Sequence, residues 1–216
     1  RTLLDDAENV LAGVALLQKY LKVRRVLIAI EGNKPDCLRL YTERCAQMQG
    51  VAVWRLPPRY PQGGEKVLIY NTTGRIVPEG KLPIDVGAVV LNCTTLAFLA
   101  RYMKTGMPLV EKCVTVDGTN VPEPRNVIAP VGTPLQSLLD FCGVQESGEA
   151  MKILYGGPMM GIAVPDAQQP VLKNTNAVTV LTGRDAAPAE TTACIRCGRC
   201  AAHCPMHLMP AMLERA

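Results

Sequence analysis

The spacing of apolar residues predicts alternating helices and strands in the first quarter of the chain. Residues 3–21 carry apolar side chains at helical intervals. Residues 25–30 form a short run rich in branched residues, which is typical of a strand buried in a parallel sheet. Pro35 suits the first turn of a second helix, expected to reach about residue 49, and residues 51–56 predict a second strand. This alternation indicates an α/β layer with a parallel sheet.

Proline and glycine interrupt the pattern at residues 57–66. Gly63 and Gly64 precede a short helix that is predicted from Glu65 to about residue 71. Glycine lets a backbone approach a ligand closely, and the free amides of a helix N-terminus attract a phosphate group. On spacing alone, an ordinary Pro/Gly loop is the favoured explanation of the same residues. The loop does not match G-x-G-x-x-G, so it is not a dinucleotide fingerprint.

A third buried strand is predicted at residues 87–91, and a helix is expected to follow it to about residue 104. Asn92 and Thr95 lie between the two, at the carboxyl end of the expected strand. Ligands of α/β sheets bind beyond the carboxyl ends of the strands, so these side chains are candidates for hydrogen bonds to a ligand. Alternatively, one of them only caps the helix, and the two roles are compatible.

The pattern changes after residue 109. Residues 113–121 predict a β-hairpin around an Asp-Gly turn, and residues 126–129 predict a further strand. A helix beginning at Thr133 and Pro134 and reaching about residue 141 completes a compact ββα module. Further elements are expected beyond it: a strand at 151–155, a glycine-flanked turn at 156–161, β structure at 171–181 and a polar linker at 182–190.

Composition narrows the class of protein. A chain of 216 residues can form one large or two small domains. The net charge of +4 is spread over dispersed basic residues, which does not favour nucleic-acid binding. No apolar run approaches the roughly 18 residues that span a bilayer, so no transmembrane segment is expected. The chain has nine cysteines, an odd number, and unpaired cysteines together with the cysteine run described next indicate a reducing compartment.

The richest chemical signal is a cysteine run near the C-terminus. Cys194, Cys197, Cys200 and Cys204 followed by Pro205 give the spacing C-x2-C-x2-C-x3-C-P. This is the spacing of bacterial [4Fe–4S] proteins, in which the fourth cysteine ligates the other cluster of a two-cluster pair. We therefore interpret these four cysteines as iron–sulfur ligands.

Two other uses of the cysteine run fit less well. Structural zinc prefers two C-x2-C pairs that are separated by a longer loop. A disulfide framework suits a small secreted domain, whereas this chain is long and has an odd number of cysteines. His203 and His207, the only histidines, flank the run, and solvated or helix-face positions are expected for both.

Several motifs together resemble one known family across essentially the whole chain. The family is the C subunit of Rnf-type (Rsx-type) electron transport complexes, which is related to the NADH-binding flavoprotein subunit of respiratory complex I. The motifs are I-E-G-N-K-P (30–35), Y-P-Q-G-G-E (60–65), L-P-I-D-V-G (82–87), N-C-T-T (92–95), V-T-V-D-G (114–118), G-T-P (132–134), G-G-P-M-M-G (156–161) and the cysteine run through residue 210. Only the cysteine run is specific by itself.

The resemblance implies a binding site for FMN and NAD(H) in the α/β layer. In the complex I relative, a Tyr…Gly-Glu segment and an Asn…Thr segment line that site. The matching positions here are Tyr60, Gly63, Gly64 and Glu65, then Asn92 and Thr95. Glu31 is a weaker candidate on the nicotinamide side. The ββα module resembles the family's soluble-ligand-binding β-grasp (SLBB) domain, with a role in packing between the flavin and cluster domains.

The same resemblance implies a domain order. Residues 1–107 form a partial Rossmann-like FMN/NADH domain, and residues 108–150 form the SLBB-type module. Residues 151–181 return as β structure, residues 182–190 are a linker, and residues 191–216 start a helical, ferredoxin-like segment, the first half of a domain with two [4Fe–4S] clusters.

The function that this implies is electron transfer between NAD(H), FMN and [4Fe–4S] clusters. The chain would be an oxidoreductase subunit of an ion-translocating NAD/ferredoxin complex. It would be peripheral at the cytoplasmic face of the bacterial inner membrane, with the rest of the complex as its partner and ferredoxin as an indirect one. No acid/base or nucleophilic residues are required, so no catalytic side chain is assigned.

We expect the chain to be a piece of a longer protein, because it starts without methionine and ends within a helical pattern. In the family, a glycine-rich flavin-binding stretch would precede Arg1 and a second cysteine run would follow Ala216. The piece is therefore expected to hold FMN poorly, to have an incomplete or labile cluster and to be inactive alone.

Two alternatives remain open at this point. A microcompartment-associated cobalamin reductase resembles the same family. A non-catalytic scaffold, in which an SLBB-type module and the cysteine run only dock the chain to partners, belongs to a different class of function.

Overall fold

The computed structural model describes residues 2–145, 151–188, 190–204 and 206–214. Pro205 of the cysteine run and residues 146–150, at the expected end of the SLBB-type module, lie outside this description. The chain divides into two compact units, one made of Arg1–Gly106 with Cys194–Ala216 and the other of Met107–Ala193. Among the helices described, none combines the length and apolarity that crossing a membrane requires.

The first unit contains a two-stranded parallel sheet and its flanking helices. Strand β1 (Val26–Glu31) pairs in parallel with β2 (Val51–Leu56), so that Val26 lies opposite Val51 and Glu31 opposite Leu56. The helices are α1 (Thr2–Asp5), α2 (Ala7–Leu21), α3 (Pro35–Cys45), α4 (Glu65–Thr73) and α5 (Cys93–Thr105). The helix–strand alternation predicted for this half is confirmed, although α3 ends at Cys45 instead of near residue 49.

The core of this unit lies between α2, α3, α5 and β1. Val10 of α2, Ile30 of β1, Tyr41 of α3 and Ala97 of α5 are each no more than 2% exposed and belong to one apolar cluster. On α3 the buried members of this cluster recur at every fourth residue, so they lie on one face of the helix. The cluster fixes the positions of the strand ends and helix starts at which the candidate site residues lie.

The prediction of a strand at residues 87–91 is wrong. A short 3-10 turn, Pro83–Val86, precedes these residues, and they continue as irregular backbone with Val89 62% exposed. Arg75 donates hydrogen bonds to the carbonyl oxygens of Val86 (2.8 Å) and Gly87 (3.1 Å). An apolar run forms a strand only where a neighbouring strand pairs with its backbone amides and carbonyls. In the described residues, the sheet of the first unit consists of β1 and β2 alone, so residues 87–91 pair with neither strand.

The second unit is a five-stranded mixed sheet packed against one helix. Its elements are β3 (Glu111–Gly118), β4 (Arg125–Pro130), α6 (Leu135–Phe141), β5 (Met151–Tyr155), β6 (Ile162–Ala163) and β7 (Ala177–Thr182). The strand order is β4-β3-β7-β5-β6, and β3 and β7 are parallel while the other pairs are antiparallel. Buried residues of β3, α6 and β7 form its core.

The prediction of a tight hairpin turn at Asp117-Gly118 is also wrong. Gly118 is the last residue of β3 and lies opposite Val180 of β7, so the connection to β4 consists of residues 119–124. A side chain at Gly118 would place its Cβ 1.9 Å from the carbonyl oxygen of Val180, at a φ of +144°. The glycine serves close strand packing rather than a tight turn. Strand β7 begins six residues later than expected, and the two-residue β6 was not predicted.

The α/β class predicted from the sequence is confirmed, with one parallel and one mixed sheet. A 3-10 turn, Gly183–Asp185, lies within the predicted linker. The cysteine segment contains two short helices, α7 (Arg199–Ala202) and α8 (Pro210–Leu213).

Candidate functional site

The glycine loop leads directly into helix α4. Gly64 is the N-cap residue of α4, and its amide donates a hydrogen bond to the carbonyl oxygen of Pro61 at 2.8 Å. A Cβ at Gly63 would meet no atom within 4 Å, so the space beside this backbone is open. Tyr60 is 59% exposed, and Glu65, the first residue of α4, is exposed as well. A ligand can therefore reach the loop and the free amides at the start of α4.

A buried amide nitrogen lies inside this loop. Gln62 is 4% exposed, and its Oε1 accepts a hydrogen bond of 3.0 Å from Asn71 of α4. Its Nε2 has no hydrogen-bond partner within the described residues. Buried polar atoms are almost always paired, so an orphaned donor needs a partner from outside the described protein atoms. Sequence reasoning did not assign Gln62 to the site, although it lies within the quoted motif.

Asn92 caps helix α5. Its Oδ1 accepts hydrogen bonds from the amide (2.9 Å) and the hydroxyl (2.8 Å) of Thr94. The capping alternative is thus confirmed for Asn92. Capping uses Oδ1 alone, which leaves Nδ2 able to donate to a ligand. Thr95 lies exposed in the first turn, where its amide donates to the carbonyl oxygen of Asn92 at 2.9 Å.

Glu31 and an unassigned arginine lie at the carboxyl ends of the parallel strands. Glu31 ends β1, and its carboxylate forms a partly exposed ion pair with Lys34. Arg55, near the end of β2, lines a cavity of about 370 Å³ together with Gly32 and residues 56–58. A Cβ at Gly32 would lie 2.8 Å from Nε of Arg55, so glycine allows the guanidinium to approach the backbone. Nothing in the linear sequence distinguished Arg55 from an ordinary strand residue.

The two cavities described in the first unit do not gather the predicted cofactor residues. A second cavity of about 1290 Å³ includes Asn92 in its wall. Neither cavity is lined by the other six predicted residues, which are Glu31, Tyr60, Gly63, Gly64, Glu65 and Thr95. These six occupy the glycine loop, the start of α4, the end of β1 and the first turn of α5, and none of them is buried.

The cysteine run provides accessible thiols. Cys194, Cys197 and Cys200 are exposed, Cys204 is half-buried, and all four are free. Backbone amides donate to two of the sulfur atoms, Arg196 to Cys194 and Leu208 to Cys204, each at 3.4 Å. Hydrogen bonds of this kind tune iron–sulfur clusters.

The four cysteines are of the residue type that ligates an iron–sulfur cluster, but in the described residues their thiols are not gathered around one point. Four thiols within eleven residues are the ligands that such clusters use. In the part of the chain that the structure describes, no three His, Cys, Asp or Glu side chains converge as a metal site requires. Cluster binding would therefore have to draw the thiols together, as metal binding commonly does when it is coupled to folding.

Comparison with known proteins identifies proteins that are similar to this chain in sequence. The family model of the Nuo51 FMN-binding domain matches residues 1–101. The chain is 40% identical over 214 residues to the C subunit of the proton-translocating ferredoxin:NAD(+) oxidoreductase complex of Clostridium ljungdahlii, covering 99% of this chain and 46% of that protein. It is 39% identical over 206 residues to the Na(+)-translocating counterpart of Acetobacterium woodii, covering 95% and 46%.

A third relative comes from Vibrio cholerae. It is the C subunit of an ion-translocating oxidoreductase complex and is 37% identical over 209 residues, which are 96% of this chain and 27% of that protein. The chain thus spans less than half the length of these relatives. The resemblance stated from the sequence motifs is confirmed: along nearly its whole length, this chain is homologous to the C subunits of ion-translocating oxidoreductase complexes.

Proposed function

We propose that this chain is the part of an electron-transfer subunit that joins a flavin and nicotinamide site to an iron–sulfur segment. The main support for this proposal is the 40% identity over 214 residues to a relative named as part of a ferredoxin:NAD(+) oxidoreductase complex. The match of residues 1–101 to an FMN-binding domain supports the flavin half of the proposal. The whole complex would be an oxidoreductase that transfers electrons between NAD(H) and ferredoxin and couples this transfer to ion translocation.

In this proposal the loop and the start of α4 hold the flavin nucleotide. FMN, when bound, converts a two-electron hydride donor into a one-electron donor for clusters. The amide of Gly63 and the Nε2 of Gln62 supply donors to it, and the Nδ2 of Asn92 supplies a further one. The exposed ring of Tyr60 offers a stacking surface.

Glu65 is assigned to the nicotinamide side rather than to the phosphate side. Glu65 is the first residue of α4, and a carboxylate at that position repels the negative charge of a phosphate. The same carboxylate accepts hydrogen bonds from a carboxamide group. Thr95, in the first turn of α5, and Glu31, at the end of β1, are the remaining candidates for polar contacts with the bound cofactors.

The cysteine run would ligate [4Fe–4S] clusters through Cys194, Cys197, Cys200 and Cys204. Their exposure and the amide donors at two sulfur atoms support this assignment. By the family pattern, Cys204 serves a different cluster from the other three.

The proposed domain order follows the sequence motifs. It comprises an FMN/NADH domain at 1–107, an SLBB-type module at 108–150, returning β structure at 151–181, a linker at 182–190 and a cluster segment at 191–216. The assembled subunit would sit peripherally at the cytoplasmic face of the bacterial inner membrane, bound to the other subunits of the complex.

The role of Glu65 gives the sharpest test of the nicotinamide site. Full-length protein, reconstituted anaerobically with FMN, iron and sulfide, is reduced with NADH or with dithionite while flavin absorbance is recorded. Glu65→Ala is expected to slow bleaching by NADH at least ten-fold and to leave bleaching by dithionite unchanged. Glu43→Ala, which removes an exposed carboxylate from α3, is the matched control and should change neither rate. Equal slowing with both reductants would place Glu65 outside the nicotinamide site.

A further inference from the structure

Two residues in and just after the cysteine run have a backbone conformation that is rare for their residue types. Arg196 has a φ of +56° and His207 a φ of +55°, both in the left-handed region. In the described part of the chain, only one other non-glycine residue, Lys22 at the C-cap of α2, has a positive φ. The Cβ of an L-residue disfavours this region, and residues held there concentrate at functional sites. The two outliers therefore call for an explanation in terms of the cysteine run.

The side chains of these residues do not explain their conformation. Arg196 and His207 are both exposed, and neither side chain forms a hydrogen bond or an ion pair within the described residues. The residue types do not explain it either. Arg199 and His203, the other arginine and histidine next to these cysteines, have ordinary backbone angles in and at the end of α7. The reason for the turns must lie in what they do to the backbone.

Each turn directs a backbone amide at a cysteine sulfur. The amide of Arg196 donates to Sγ of Cys194, and the amide of Leu208, directly after His207, donates to Sγ of Cys204, each at 3.4 Å. The second turn is closed by the amide of His207, which donates to the carbonyl oxygen of Cys204 at 3.1 Å. The first and the last cysteine of the run are therefore held in the same way.

Such amide bonds favour the metal-bound form of a cysteine. A thiol that coordinates a metal is deprotonated, so its sulfur is anionic. Hydrogen bonds to an anionic acceptor are shorter and roughly twice as strong as those between neutral groups. A turn that exists before the metal binds also lowers the cost of ordering the chain at that moment. In the described residues, Cys197 and Cys200 have no amide donor at their sulfur atoms.

We propose that Arg196 and His207 are positioning residues of the cysteine run, whose left-handed turns hold an amide donor against Cys194 and Cys204 before any cluster binds. Each turn serves one thiol, and by the family pattern these two thiols belong to different clusters. The middle of the run is then the part that a cluster has to draw in. This inference rests on the iron–sulfur function proposed above.

The rate of cluster loss tests the proposal. Full-length protein is reconstituted anaerobically with iron and sulfide, and its iron–sulfur absorbance is followed after an iron chelator is added. Arg196→Val and His207→Val should each speed the loss of one cluster by roughly five-fold or more, because a β-branched residue resists the left-handed region. Arg196→Gly and His207→Gly should stay within about two-fold of the wild type, because glycine keeps the turn without strain.

Arg199→Val and His203→Val are the matched controls, since they remove the same residue types from positions with ordinary backbone angles. Both should lose their clusters at nearly the wild-type rate. Reduction potentials, measured by redox titration with EPR detection, give a second readout. Each valine variant at residue 196 or 207 should lower the potential of one cluster and leave the other unchanged, because amide hydrogen bonds stabilise the more negative, reduced cluster.

Three results would overturn this proposal alone. Valine variants at residues 196 and 207 that keep both clusters as long as the wild type would show that the turns are not needed. Glycine variants as labile as the valine variants would assign the effect to the side chains. Control variants that are equally labile would indicate a general disturbance of the segment. A wild-type protein that takes up no cluster would instead overturn the iron–sulfur function together with this inference.

Discussion

The buried hydroxyl of Tyr41 leads to a prediction about stability with an unusual sign. Tyr41 lies on α3 in the core of the first unit, fully buried, and its hydroxyl has no hydrogen-bond partner within the described residues. Leaving a buried polar group unsatisfied costs about 1–3 kcal/mol. Tyr41→Phe removes that group and keeps the ring, so it should raise the free energy of unfolding by about 1 kcal/mol or more.

The assay is urea unfolding followed by tryptophan fluorescence. Trp54, the only tryptophan, lies in β2 and therefore reports on the unit that contains Tyr41. With a slope of about 2 kcal/mol per molar urea, a gain of about 1 kcal/mol raises the midpoint by about 0.5 M. Tyr41→Ala is the contrasting variant. It removes the ring as well and should cost about 3–5 kcal/mol.

Alkaline pH separates the hydroxyl from general packing effects. Burial, helped by the nearby thiols of Cys93 and Cys37, raises the pKa of Tyr41 far above its ordinary value. The folded state therefore holds this proton more tightly than the unfolded chain. The stability that it contributes is fully present below about pH 10 and is lost as the pH rises beyond the unfolded pKa. Tyr41→Phe should lose less stability than the wild type above pH 10.

The reasoning would be refuted by a clear loss of stability in Tyr41→Phe at neutral pH. Such a loss would mean that the hydroxyl has a partner, for example a buried water molecule. A variant that loses stability above about pH 10 as steeply as the wild type would show that Tyr41 is not the titrating group. Cys45, whose pKa burial also raises, is present in both proteins and so does not affect the comparison.

Three further predictions concern single residues. Gly118→Ala should destabilise the second unit by about 3 kcal/mol or more, because its Cβ would collide with β7, whereas Gly157→Ala, with no atom within 4 Å, should be nearly neutral; equal thermal shifts by circular dichroism would contradict this. Tyr155→Phe should cost about 1 kcal/mol in urea unfolding, because it removes the hydrogen bond to Pro170, and an unchanged stability would show that this bond contributes nothing. Asn92→Ala should cost about 1 kcal/mol through the lost helix cap and Asn92→Asp should restore it, so equal losses in both would argue against capping.

The parts of the fold that the sequence predicted are those that local chemistry determines. The apolar period of α2 and the capping side chain of Asn92 are written in neighbouring residues, and the structure contains both. The failures came where a distant segment decides. Residues 87–91 have strand composition without a strand beside them in the described chain, and Gly118 is required by the approach of β7 rather than by a turn.

The same division applies to the candidate site. Motif spacing indicated the glycine loop and the four cysteines, because ligand spacing is a property of the linear sequence. It did not indicate Arg55 or the orphaned amide of Gln62, because a cavity wall and a missing partner exist only in three dimensions. It also did not show whether the thiols converge, since convergence depends on the bound cluster as much as on the chain.

The central claim is that electrons pass from NAD(H) through a flavin in the first unit to clusters held by the cysteine run. The most direct measurement is the visible spectrum of the anaerobically reconstituted full-length protein during titration with NADH. The account predicts that NADH bleaches the flavin and then the iron–sulfur absorbance. A protein in which dithionite bleaches both chromophores and NADH bleaches neither would contradict it.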